Sequence, residues 1–462
     1  MEPANLRFGG GAAESAINPL VAGFLLIAVV LIFTLRREKV IVPFLLFYFS
    51  IPIGQVIVLG GFHFTALRLL IFAGLARMLI SKKSEIGKFP GGFNGIDQVA
   101  VLWSVSAVVM FCLQWMQMAA FVRILGDFVD ALGGYMVVRF LITDRDAIRR
   151  TIKTLAVVCA VQGVCMINEK FSHINVFGLL GGISAEVVVR DGHIRAQGSM
   201  GCLYAGAFAG VLIPVFIWLC SQRKSRTIAI LGIIGAVAMV ITSYASTSYL
   251  ALGGSVIGLA FWPLRKGMRL VRWGLVSMLV GLHMVMKAPV WALIARIDLT
   301  GSSSGDHRYE LVDNCIRHFG DWWLIGTRDY NTWGWGMWDL ANQFVAVALT
   351  GGLLTLIFYI MIFKRSFSAL GTTRKLIEGD RQQEWFLWCL GSGLFATIVA
   401  SFGINSVPQL LMGFFPVLAC TSVATFEAKL GLTPIEKIAP KVPFATRPRA
   451  ARTYLPLRGS SS

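Results

Sequence analysis

The chain has 462 residues, of which 56% are hydrophobic and only 14% charged, with a mean hydropathy of +0.70. Too few polar side chains remain to coat soluble domains of this size, which excludes a water-soluble globular protein. The net charge of +18 comes from Lys and Arg in short runs between apolar stretches, where insertion sets them against an anionic leaflet; this is not the continuous basic face of a nucleic-acid binder. The expected class is an all-α, multi-pass polytopic membrane protein with lipid as its surroundings and no nucleic-acid partner.

In chain order, apolar runs near the roughly 20 residues that cross a bilayer fall at 18–35, 40–61, 64–81, 97–116, 120–142, 151–168, 204–220, 227–243, 247–263, 273–290, 341–363, 385–403 and 408–426. Pro43, Pro52 and Gly54 interrupt the second run and 247–263 is short, so about 12–13 transmembrane helices are expected. Basic clusters recur at every second connection: Arg36, Arg37 and Lys39; Lys82, Lys83 and Lys88; Arg145, Arg149 and Arg150; Arg223, Lys224 and Arg226; Arg265, Lys266, Arg269 and Arg272; Lys364, Arg365, Arg374 and Lys375. An outside N-terminus and an inside C-terminus place all of them inside. The first run carries its positive charges after the apolar stretch, the reverse of a cleavable signal peptide.

This orientation divides the chain into an N-terminal bundle (1–290) with an outside segment at 169–203, an outside loop at 291–340, C-terminal spans (341–426) and a basic tail (427–462). The tail scatters Pro among Lys and Arg, and is expected to be a disordered cytoplasmic end touching head groups. Most cysteines sit in apolar runs as small packing groups; Cys202 and Cys315 are the two that could meet in an oxidising compartment. No repeat of fixed period is visible, which disfavours transporters built from inverted halves.

Neither outside segment has the positive excess of the inside loops, so both are built for something other than topology. In 291–340, Tyr309, Leu311, Val312, Cys315 and Ile316 fall on one side of a helix, with Asp306 expected as its N-cap after the run GSSSG. On spacing alone this is an interfacial helix whose charges face water. The functional reading makes Arg308, Arg296 and Arg328 a guanidinium cluster for a diphosphate. Trp333, Trp335 and Trp338 suit either a membrane-interface belt or stacking on sugar rings, and their density beside Arg328 and Asp329 favours carbohydrate contact for Trp333 and Trp335. His307 and His318 are potential general bases, although a lone His is more often a hydrogen-bonding surface residue. Arg195 precedes a Gly-rich entry into a span, where it is either a topological charge or a ligand-binding one. Arg123, Asp127 and Asp130 share a helix face at membrane depth, and Arg68 lies in another span. Such charges point inward and pair, holding the bundle or serving catalysis. Metal-ligand spacings, phosphate-binding Gly-Lys-Ser/Thr loops and nucleophile elbows are absent, so no metal and no cofactor is expected.

The stretches HIRAQGSMGCLYAGAFAGVLIP, SYASTSYLALGGSVIGL and GSSSGDHRYELVDNCIRHFGDWWLIGTR resemble, respectively, the Arg-x-x-Gly entry into a mid-chain span, the small-residue span and the large periplasmic loop of the O-antigen ligase and polysaccharide polymerase superfamily. The resemblance covers about 190–360. It implies a glycosyltransferase-C-like membrane fold whose large periplasmic loop contains short helices. It further implies a metal-independent glycosyltransferase of the bacterial inner membrane, acting on undecaprenyl-diphosphate-linked oligosaccharide in exopolysaccharide or O-antigen synthesis, with other polysaccharide assembly proteins as partners. Arg195 and Arg308 would then grip the diphosphate, joined by Arg296 and Arg328. The family's His-Asn pair falls on Ala341 and Asn342, so the role of its His, activating the acceptor, passes to His318, Asp329 or Asp339. The competing readings are a lipid-linked glycan flippase and a non-catalytic member of a polysaccharide export complex. Dense polar residues gathered in one loop, rather than spread over many spans, favour the transferase.

Overall fold

A computed structural model describes residues 15–60, 62–81, 89–296, 304–334 and 336–431. The chain folds as an all-α membrane protein: α1 (Pro19–Thr34), α2 (Arg37–Ser50), α3 (Ala66–Ile80), α4 (Gly95–Trp115), α5 (Met118–Phe128), α6 (Gly134–Leu141), α7 (Arg145–Ser172), α8 (Cys202–Cys220), α9 (Arg226–Ser243), α10 (Ser246–Ala260), α11 (Met268–Val285), α12 (Ser304–Arg317), α13 (Phe319–Trp322), α14 (Gln343–Leu376), α15 (Arg381–Ser401) and α16 (Pro408–Leu430). Among the described residues, 8 helices are long and apolar enough to cross a membrane, and Pro19–Thr34 and Ser246–Ala260 are shorter apolar ones. Two antiparallel hairpins, β1 (Val56–Leu59) with β2 (Phe62–Thr65) and β3 (Val188–Arg190) with β4 (His193–Arg195), sit in connections.

Local chemistry sets the helix ends. Asn94 and Asp97 cap α4 reciprocally, Asp144 accepts the Ala147 N–H at the start of α7, and Asn342 accepts from Phe344 and Val345 at the start of α14. Small residues let helices approach backbone to backbone: a Cβ built on Gly163 of α7 would lie 2.7 Å from the Gly235 backbone of α9, and one on Gly210 of α8 2.9 Å from Ala251 of α10. A five-residue π-helical turn, Val129–Gly133, joins α5 to α6. It carries Asp130, whose carboxylate takes Arg68 of α3 at 2.6 and 3.1 Å, so the two membrane-depth charges neutralise each other across helices. In α14 the helical path breaks at Gly352, with φ +69°. The freed Leu349 carbonyl accepts the Thr327 N–H at 2.8 Å and Leu353 donates to Trp323 at 2.9 Å, which docks the 322–327 segment into a notch in the helix.

The connections gather at two ends. At one, Arg37 donates to the Phe140 carbonyl at 2.6 Å, Arg265 meets Glu384 at 3.2 Å and Lys266 meets Glu378 at 2.8 Å, the last holding the Glu378 carboxyl below its usual range. At the other, Gln55 donates to the Leu180 carbonyl at 2.9 Å, Thr247 to Gly403 at 2.7 Å and Ser406 to Gln343 at 2.6 Å. The basic clusters within the described residues lie at the first end, and the described residues of α12 and of 326–334 lie at the second.

Several expectations change. The run 40–61 is not one span: α2 stops at Ser50 and the chain turns into the β1–β2 hairpin, because Pro52 and Gly54 end the helix and the Val- and Phe-rich stretch that follows pairs with itself. Helix α12 starts at Ser304, which puts Asp306 in the first turn rather than at the cap; an acidic side chain there still complements the helix dipole. Helix α11 has no buried residue and stands clear of the bundle along its length. Cys202 and Cys315 are both free thiols. The expected disorder of the tail falls mainly on 432–462, and Asp298 and Trp335 also lie outside the described residues.

Candidate functional site

The segment carrying Arg195 is built by a tight hairpin. Asp191 and Gly192 both take positive φ, +53° and +74°, the requirement of a two-residue turn that matches strand twist, and Arg195 pairs opposite Val188. His193 stacks on Tyr244, with ring centroids 4.1 Å apart, and the Ala196 N–H donates to the Thr242 carbonyl at 3.0 Å. Both contacts press the hairpin against the α9–α10 junction. Arg195 is 8% exposed, and its Nε is buried without a hydrogen-bond partner among the described residues. A guanidinium left that way is costly unless something anionic meets it.

Arg308, 5% exposed, reaches the same junction from α12. Its Nη2 donates to Thr247 Oγ1 at 3.2 Å, and Gly403 closes behind it so tightly that a Cβ there would sit 3.2 Å from Arg308 Nε. Ser246, Thr247 and Ser248 open α10 and are all buried. That helix begins without a side-chain cap and the Ser248 N–H donates to the Ala245 carbonyl at 2.9 Å, so its positive dipole end lies beside Thr247. Arg308 thus lies against the N-terminus of α10, while Arg195 projects from a hairpin whose next residue, Ala196, bonds Thr242 at the end of α9 and lies within reach of Cys202 at the start of α8; buried guanidinium groups of this kind suit an anionic ligand.

Titratable groups border this place. His307, adjacent to Arg308, has Nε2 2.9 Å from the Asp339 carbonyl oxygen. A carbonyl only accepts, so Nε2 carries a proton, and Nδ1 lies beside Gly336, where an added Cβ would sit 3.0 Å from it. Asp339 also lies within electrostatic reach of the Tyr204 hydroxyl, and Arg195 within reach of the Cys202 thiol. The start of α8 therefore bridges Arg195 to the Asp339 turn.

The remaining sequence-derived site residues stand elsewhere. Arg296 is exposed at the end of a 3-10 segment, Val290–Arg296. Arg328 is exposed and lies over the Trp115 ring at the end of α4, 5.6 Å from its centroid. Asp329 is exposed beside it, its carbonyl accepting from Thr332 Oγ1 at 2.7 Å. His318 Nδ1 lies 3.0 Å from the Asn314 carbonyl, and the ring stacks on Trp333 at 4.4 Å with planes 6° apart, so each already covers the other's face. Arg195 and Arg308 come together at one junction, with Asp339 at its edge. Arg296, Arg328 and Asp329 make their contacts away from that junction, and His318 and Trp333 pair with each other. Asn342, at the second position of the resembled His-Asn pair, is a helix cap. The hairpin that delivers Arg195 was readable from Asp191–Gly192 flanked by Val-Val-Val-Arg and His-Ile-Arg, a strong hairpin signal; nothing in the sequence pointed to the fit of His307 against Asp339.

The sequence matches no protein-family model, and no curated protein matches it.

Proposed function

We propose that this protein is a glycosyltransferase of the bacterial inner membrane that uses a glycan carried on undecaprenyl diphosphate, extending or transferring it at the periplasmic face. The observation that supports this most is the pair of buried arginines near the α9–α10 junction, Arg308 against Thr247 and Arg195 in the hairpin segment that bonds Thr242. They lie at the end of the bundle opposite the Lys and Arg clusters, and the positive-inside tendency assigns that end to the outside. In this reading the diphosphate accepts hydrogen bonds from both guanidinium groups beside the positive dipole end of α10. As the acceptor hydroxyl attacks the anomeric carbon, the bond from that carbon to the diphosphate oxygen breaks and negative charge builds on the leaving group. Preorganised donors stabilise that charge more than they stabilise the intact donor. The hydroxyl proton passes to His307 Nδ1, with Asp339 as the nearby carboxylate, and undecaprenyl diphosphate departs.

The test is an assay with purified protein in lipid and a labelled undecaprenyl-diphosphate oligosaccharide. Longer carrier-bound chains identify a polymerase, and label on a lipid A-core acceptor identifies a ligase. Label crossing a sealed vesicle without a new glycosidic bond would replace the proposal with transport. Arg308→Ala is expected to lower turnover on the order of a hundredfold to a thousandfold, as loss of one donor to a developing oxyanion does; unchanged turnover would remove Arg308 from the site.

A further inference from the structure

We propose that Glu169 is the positioning residue for Arg195, an assignment that rests on reading Arg195 as a diphosphate ligand. Glu169 lies in the last turn of α7 and is 1% exposed. A carboxylate there faces the negative end of the helix dipole. Among the described residues it has no salt-bridge partner, and burial of an unpaired charge is costly. What it does have is the backbone of the Arg195 segment: Oε1 accepts the Gln197 N–H at 2.8 Å and Oε2 accepts the Gly198 N–H at 3.0 Å. Two successive amides are thus aligned by one carboxylate, two residues beyond the arginine.

The rest of that segment is held as closely. Asn175 Nδ2 donates to the Gly198 carbonyl at 3.0 Å. Gln162 Nε2 donates to Ser199 Oγ at 2.8 Å and to the Phe49 carbonyl at 2.9 Å. Gly198 takes φ +57°, and a Cβ there would lie 2.7 Å from Gln162 Oε1. None of these groups touches the Arg195 side chain through a hydrogen bond, yet together they fix the backbone from which it projects. A surface loop needing only to be closed would be served by water or by apolar packing. A bidentate buried carboxylate specifies where the backbone must be, which is what a ligand-binding guanidinium requires.

A double-mutant cycle separates positioning from general stability. Affinity for undecaprenyl diphosphate alone is measured by the full chain in nanodiscs for wild type, Glu169→Gln, Arg195→Ala, Arg308→Ala, and Glu169→Gln combined with each arginine change. Gln keeps the shape but offers one acceptor oxygen where the carboxylate offers two, so one amide loses its partner. Glu169→Gln is expected to weaken binding about tenfold. It should weaken binding by the same factor in the Arg308→Ala background and by nothing further in the Arg195→Ala background. Wild-type affinity in Glu169→Gln, or an undiminished loss in the Arg195→Ala background, would overturn the assignment. Should Arg195→Ala itself bind as wild type, the diphosphate reading fails and this inference with it. Asn175→Ser, which loosens the same segment more gently, is expected to show a smaller loss with the same dependence on Arg195 and carries the test if Glu169→Gln does not fold.

Discussion

The segments at 195–201 and 326–340 sit at the same end of the bundle and both looked functional, yet they are built in opposite ways. The first carries one arginine, and its backbone is fixed by Glu169, Asn175 and Gln162 while the guanidinium Nε has no partner among the described residues. The second is crowded with Arg, Asp and Trp, and its large side chains rest on neighbouring elements: Arg328 over Trp115 and Trp333 on His318. A site that must receive a charged ligand is recognised by a buried group held ready and left incomplete. Density of chemically interesting side chains is a poorer guide, since such groups also make good scaffolding at a membrane surface.

The comparison breaks most readily at Gly198. Gly198→Ala places a side chain in a left-handed conformation against Gln162, a strain of about 1–3 kcal/mol. The expected result is a lower melting temperature together with loss of transferase activity; a variant with wild-type stability and turnover would show that the 195–201 backbone is not under constraint. In the second segment, Arg328→Ala removes an exposed contact worth less than about 1 kcal/mol. Turnover within roughly twofold of wild type is expected on that scale, and a Kd for undecaprenyl diphosphate raised as far as in Arg195→Ala would put Arg328 in the site after all. The smallest effect concerns Cys315, a buried residue of α12 whose thiol burial pushes up to about 12. At pH 8.5 it should resist a maleimide in folded protein and react once unfolded. The sign follows from linkage: folded protein holds the thiol proton while the unfolded chain gives it up near pH 8.5, so raising pH through that value favours the unfolded state. Fast labelling of native protein would place Cys315 at the surface.

Much of this architecture was legible in the sequence, because hydropathy at helix scale and the alternation of basic clusters are strong signals. The 40–61 run misled because an apolar strand and an apolar helix read alike over a few residues; Pro52 and Gly54 marked the boundary, and the hairpin beyond them forms only through pairing of Val56–Leu59 with Phe62–Thr65. The pairing of Arg68 with Asp130 was open in the sequence because intrahelical spacing offered Arg123 and Asp127 as nearer partners, and contacts between helices are not encoded by spacing within one. Arg195 and Arg308 stood out in the sequence as residues, though the approach of both to the α9–α10 junction did not. The placement of His307 against the Asp339 turn and of Glu169 under the Arg195 segment was hidden for the same reason. Those contacts arise from α12 meeting the Asp339 turn and from α7 ending under the Arg195 segment, which spacing within one element does not encode.

Whether Arg195 and Arg308 bind one diphosphate near the α9–α10 junction is decided by a cryo-electron microscopy structure of the full chain with undecaprenyl diphosphate in nanodiscs. Phosphate density is expected within hydrogen-bond distance of both guanidinium groups. Density beside Arg296 or Arg328, or at the Lys- and Arg-rich end of the bundle, would contradict it.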